Sequence, residues 1–263
     1  MGLGHDLKVL ALGVTRRRML AWGGGASLAA AFGCGQGGFD DAEGGGGAGG
    51  SDSGGACQSI PEETAGPYPG DGSNGPNALS LSGIVRSDIR ASVAGATGVA
   101  GGVALTVKLV VVDSANGCAP LAGHAVYLWH CDRDGNYSMY STAVAGENYL
   151  RGVQETDEDG TVTFTTVFPG CYVGRWPHIH FEVYSSLDDA TDATDKVATS
   201  QLAFPEDACA DAYETAGYEA SVDALAGVSL ESDNVFGDGA TLQLATISGD
   251  ATNGFVATLT VAV

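Results

Sequence analysis

Basic residues are scarce in this chain. Eleven Lys and Arg stand against 32 Asp and Glu in 263 residues, a formal net charge of -21. So acidic a surface repels phosphate backbones and argues against nucleic acid as a partner. Long apolar runs are missing too: past the N-terminus none approaches the roughly 20 residues that span a bilayer. The six cysteines never fall into a CxxC-type spacing, so a cysteine-rich zinc site has no support. No internal repeat is present. Helical periodicity is nearly absent, and only residues 207–226, rich in Ala, Glu and Tyr, suggest a short helix. The hydrophobic fraction of 44% is nonetheless enough for a core, which argues against global disorder.

The N-terminus reads as an address. Residues 15–20, TRRRML, with Arg16 and Arg17, resemble a twin-arginine export signal, and the weakly apolar stretch that follows ends in AFGC at 31–34, similar to a bacterial lipobox. Residues 1–34 are therefore expected to be an export signal. The mature protein is expected in the periplasm or outside the cell, with a lipid on Cys34 attaching it to a membrane. Residues 35–56 are Gly-rich, bury nothing and read as a flexible linker. The folded domain is expected over 57–263. With Cys34 lipidated, Cys57, Cys118, Cys131, Cys171 and Cys209 remain, and an oxidising destination predicts at least one disulfide among them.

Apolar and β-branched runs alternate with turn residues through this domain. Strands are expected at 103–112, 124–129, 160–167 and 178–184, with 240–247 and 255–263 as a closing pair. Turn signals lie at 113–117 and 157–160, and polar 188–196 reads as a surface loop. The fold class is all-β: an antiparallel β-sandwich with one short helix and long loops.

Chemistry concentrates in residues 168–181, FPGCYVGRWPHIHF. His178 and His180 are two apart, so on a strand both rings leave one face. Pro177 cannot donate to a sheet ladder and suits the strand's start. Tyr172 and Arg175 lie just upstream on a Gly/Pro-punctuated loop. Tyr137 closes the turn after the 124–129 strand. Two imidazoles, phenols and a guanidinium suit a metal site with a cationic helper. Singly, each residue has an ordinary reading: a half-buried strand, a turn-end aromatic, a loop anchor, a surface ion pair. Trp129 and Trp176 read as packing, His124 and His130 as structural or exposed.

The ordered motifs resemble intradiol ring-cleavage dioxygenases, the family of catechol and protocatechuate 3,4-dioxygenases. They are IPEETAGPY at 60–68, VRSD at 85–88, the GNY turn ending at Tyr137, LRGVQETD at 150–157, PGCY at 169–172, RxxHxH from Arg175 to His180 and SQLAFP at 200–205. The resemblance runs from about residue 57 to 204. It implies a mononuclear non-haem Fe(III) held by Tyr137, Tyr172, His178 and His180. It also implies a catechol-type substrate that displaces Tyr172, and O2 opening the ring between the two hydroxyl carbons to a muconate-type diacid. Arg175 takes the position of the family's charge-stabilising arginine and Gln201 that of a pocket glutamine. Gly66 and Pro67 fall in a pocket wall. Ferric iron is hard and favours anionic oxygen donors, which agrees with two phenolates. Cys171, Trp176, Ala65 and Ala203 depart from the family pattern near the pocket, which bears on the substrate rather than the metal. A catalytically inactive sandwich module binding aromatic or carbohydrate ligands, and a zinc or copper protein, are the competing readings.

Overall fold

A computed structural model describes residues 57–263 of the chain. The export signal, the lipobox at Cys34 and the 35–56 linker lie outside the described residues.

Among the described residues, nine strands form two sheets. One contains β1 (Ala104–Asp113), β2 (Ala119–Pro120), β5 (Thr161–Val167), β8 (Thr246–Asp250) and β9 (Gly254–Ala262). The other runs β4-β3-β6-β7, from β4 (Arg151–Glu155), β3 (Ala125–Trp129), β6 (His178–Tyr184) and β7 (Lys196–Ala203). In β1 the alternate residues Leu105, Val107, Leu109 and Val111 are buried, while Ala104 and Lys108 are exposed. That period of two is what a strand with one covered face requires.

β3 and β6 are buried at every position. Their two faces have different partners. Val126, Leu128, Ile179, Phe181 and Val183 enter the main core with residues of the first sheet. Ala125, Tyr127, Trp129 and Tyr184 point the other way, into a second apolar layer with Ile84, Leu79 and Tyr137. The second sheet is therefore covered twice, by the first sheet and by a layer of loops. His178 and His180 belong to the loop-covered face, opposite the main core.

Several expectations need correction. The expected two-sheet β-sandwich holds, and one of its strand pairings is not antiparallel: β1 and β9 pair in parallel from Leu105↔Phe255 to Val112↔Ala262. Parallel neighbours need a long connection, and here it is most of the domain. The closing pair is shifted, because 241–243 form a turn, Leu244 bridges to Ala203 of β7 and β8 starts at Thr246. Strands β2, β4 and β7 are additional to the expected ones. The single helix is two, α1 (Glu206–Tyr213) and α2 (Glu219–Leu225), separated around Gly217 at φ 98°. Glu206 and Asp207 in the first turn of α1 suit the positive end of its dipole.

Cys57 and Cys118 form a disulfide across 61 residues, and Cys131, Cys171 and Cys209 are free and buried. The bond ties the start of the domain to the β1–β2 turn. Ile60 N then donates to Ala262 O and Glu63 N to Thr199 O, which leads the chain over the site at residues 64–68.

Candidate metal centre

The centre starts from β6. Period two sends both imidazoles off one face, with Nε2 atoms 3.1 Å apart. Nδ1 of His178 lies 2.5 Å from the Trp176 carbonyl. A carbonyl only accepts, so the His178 proton sits on Nδ1 and Nε2 presents a lone pair. His180 is held by packing. Trp129 stacks on it with ring centroids 4.9 Å apart and 7° between planes. Gly66, at φ 72°, also packs on it: an added Cβ there would meet His180 Cε1 at 3.3 Å. Only glycine suits both that dihedral and that distance.

Two loops supply the phenols. After β3, the Asp132 carboxylate accepts from Asp134 N and Asn136 N, and Asp132 N donates to Asn136 O, closing a tight turn. Gly135 takes φ 80° within it. Tyr137 leaves the turn with its backbone N–H on Ser141 Oγ. The second loop meets the first at Gly170, whose N–H donates to Asp132 O and whose Cβ position is filled by the Arg133 carbonyl. This close approach brings Tyr172 Oη to 3.3 Å from Tyr137 Oη.

The four polar tips converge. Tyr137 Oη is 3.4 Å from His178 Nε2 and 3.3 Å from His180 Nε2, and Tyr172 Oη is 3.3 Å from His178 Nε2. Donors about 2.0–2.1 Å from one ion in a tetrahedral array stand about 3.3 Å apart. Five of the six separations here are 3.1–3.4 Å, so the residues fit a single metal ion. No group of three or more His, Cys, Asp or Glu converges among the described residues, and the candidate donors at this centre are two imidazoles and two phenols.

Electrostatics narrows the choice of ion. Burial pushes the Tyr172 phenol up to about 12, and burial, then the Tyr172 charge, holds Tyr137 well above 10. Burial, then Arg175, holds both imidazoles well below 6.5. Without a cation the four groups are neutral at pH 7. The imidazoles are ready as ligands, and the phenols need a highly charged ion to become anionic.

Arg175 is buried beside this centre. Its Nε donates to Asp233 Oδ2 at 2.9 Å and Nη2 to Gln201 Oε1 at 2.6 Å. Gln201 in turn donates Nε2 to Thr64 O at 2.9 Å, joining β7 to the segment carrying Gly66 and Pro67. Pro67 O accepts from Asn74 Nδ2. The structure brings Tyr137, Tyr172, His178 and His180 together, with Arg175 and Gln201 on one flank and Gly66 against His180; Pro67 follows Gly66 in the chain, its carbonyl bonded to Asn74 rather than to any of these four. His130 is structural, held between Cys131 O and Thr166 Oγ1 with burial lowering its pKa to about 4.

Three contributors were not legible. Asp233 comes from 58 residues beyond Arg175. Trp129, read as packing, packs on a donor ring. Arg151 is fully buried with no ion-pair partner among the described residues; it donates to Tyr68 O, Pro69 O and Ser138 Oγ, linking the wall to the residue after Tyr137. LRG at 150–152 carried no signal of that bridge.

A family model for dioxygenases matches residues 86–216, which include Tyr137, Tyr172, Arg175, His178, His180 and Gln201. An intradiol ring-cleavage dioxygenase from Tetranychus urticae superposes with a TM-score of 0.59 at 28% identity, over 78% of this chain and 94% of that one. The dioxygenase domain of a dioxygenase–carbohydrate-binding fusion from Streptomyces sp. SirexAA-E shares the fold, with a TM-score of 0.50 at 24% identity over 78% and 98% of the two chains. Chlorocatechol 1,2-dioxygenase of Rhodococcus opacus is 38% identical over 53 residues, and this chain spans about a fifth of its length, 21%.

Proposed function

We propose, from the premise that the chain belongs to the intradiol ring-cleavage dioxygenase family, that it is an exported ferric dioxygenase acting on a catechol-type substrate. The observation that carries this is the convergence of two phenol oxygens and two imidazole nitrogens beside a buried guanidinium. Tyr137 and Tyr172 would hold Fe(III) as phenolates, and His178 and His180 as neutral imidazoles. Bound Fe(III) would supply the positive charge that makes both phenols and the catechol anionic and opens the electron-rich ring to O2.

The chain's own groups do the rest. Tyr172 lies on the loop before β6 and is half-buried as a residue, whereas Tyr137 is buried, which supports Tyr172 as the donor a substrate would displace. Once released, its phenolate oxygen accepts a catechol proton. Arg175 offers fixed positive charge to the ring as negative charge develops, which preorganised cations do well where water is excluded. Gly66 leaves flat space over His180 where any side chain would intrude. In the net reaction the bond between the two hydroxyl-bearing carbons breaks. Both oxygen atoms of O2 enter the product, and a cis,cis-muconate-type diacid leaves with no other oxidant consumed.

Arg16, Arg17 and Cys34 support export and lipid attachment as part of the same reading. Oxygen uptake against a panel of substituted catechols, with product identification, is the test. One mole of diacid per mole of O2 is expected. Iron-loaded protein that binds catechols without consuming O2 would favour the inactive binding module instead.

A further inference from the structure

Asp233 has no place in the sequence motifs and lies beyond the 86–216 family match. Its side chain is fully buried and accepts four hydrogen bonds. Oδ2 takes Arg175 Nε at 2.9 Å and Trp176 N at 2.7 Å; Oδ1 takes Val235 N at 2.7 Å and Phe236 N at 3.1 Å. Of the three ion pairs among the described residues, Arg175–Asp233 alone is buried on both sides, at 8% and 0% side-chain exposure. Burying such a pair costs desolvation that its attraction barely offsets, so stability is a poor reason for it. Orientation is a better one.

Arginine has a long flexible stem, and a buried guanidinium can lie in several planes. Here Asp233 grips Nε and Gln201 grips Nη2, which lie along the same edge of the fork. Two rigid acceptors on one edge set both the plane and the direction. Nη1 is left without an acceptor among the described residues and is not an unsatisfied buried atom. The Arg175 charge is felt at both phenols and both imidazoles. The loop carrying Asp233 also sets Phe236 6.4 Å from the His178 ring. One carboxylate thus ties the guanidinium, the backbone entering β6 and a wall residue of the centre together.

We propose that Asp233 is the positioning residue of Arg175, holding its Nε edge so that Nη1 faces the reacting ring. The role of Nη1 rests on the dioxygenase reading above; the clamp itself does not. Asparagine cannot substitute, because its amide NH2 would face two N–H donors whichever way it turned.

The test combines kinetics with crystal structures. Asp233→Asn should keep iron content and the visible charge-transfer band expected of phenolate on Fe(III), since no proposed donor to the metal changes. Its kcat should fall roughly 10- to 100-fold while KM for catechol moves less than about threefold. Asp233→Asn should slow an Arg175→Ala enzyme no further, because residues acting as one unit are not additive. Losses that multiply, or an unchanged kcat, would overturn the proposal. Should the variant fail to fold, wild-type crystals with 4-nitrocatechol provide the second reading. Nη1 should lie within hydrogen-bond distance of the ligand with the Asp233 contact kept; a guanidinium that has left Asp233, or Nη1 turned away, would overturn it. Wild-type protein that neither binds nor cleaves catechols overturns the dioxygenase reading and this one with it. A turning-over wild type matched by Asp233→Asn overturns only this one.

Discussion

Iron affinity should fall about a hundredfold for each pH unit removed near neutrality. A phenol must lose its proton to become an anionic donor. Burial holds Tyr172 at about 12 and Tyr137 well above 10, so both are protonated at pH 7 in the metal-free protein. Both imidazoles are held well below 6.5, first by burial and then by Arg175, so they are already neutral and release nothing. Binding therefore releases two protons. Each is worth tenfold, about 1.4 kcal/mol, per pH unit, so two give about 2.7 kcal/mol. The sign follows from mass action: affinity rises with pH until the first phenol ionises by itself and drops as pH falls. Competition against a chelator of known protonation constants, at about pH 6.5 to 8.5, reads the slope of log affinity against pH. Tyr172→Phe and Tyr137→Phe should each reduce the slope from about two to about one. A wild-type slope near zero would mean that the phenols stay neutral and are not ligands. A slope of two in both variants would refute the assignment equally.

Other consequences can be checked singly. Phenolate on Fe(III) should colour the purified protein red to burgundy, and Arg175→Ala should keep that band while turnover falls roughly a hundredfold; loss of the band would make Arg175 structural. Replacing Cys57 and Cys118 with serine should lower unfolding stability by up to about 4 kcal/mol, the chain-entropy value for a loop of this length, as read by denaturant titration; an unchanged midpoint would refute it. Changing Arg16 and Arg17 together to lysine should strand the precursor in the cytoplasm, and unaltered processing and location would end the twin-arginine reading.

What was legible in the sequence had a local cause. His178 and His180 share a face because a strand repeats every two residues, and that needs no knowledge of the rest of the fold. The alternation in β1 and β5 and the turn before Tyr137 were readable for the same reason. β4 was missed because RGVQE has one β-branched residue and no alternation to betray it. β3 and β6 could be read as strands, but not what covers each face, because both faces are buried.

Sequence alone determined which candidate donor types are present and the pairing of the two histidines; these follow from residue identity and strand period. Tertiary structure decided that Tyr137 and Tyr172, 35 residues apart, place their oxygens within 3.3 Å, because Gly170 lets one loop settle on the other. It decided the parallel β1–β9 pairing, which closes over almost the whole domain and leaves no local trace. It also decided that Asp233, one acidic residue among 32 Asp and Glu, is the one beneath Arg175. A carboxylate's partner depends on where distant segments come together, and no periodicity along the chain encodes that.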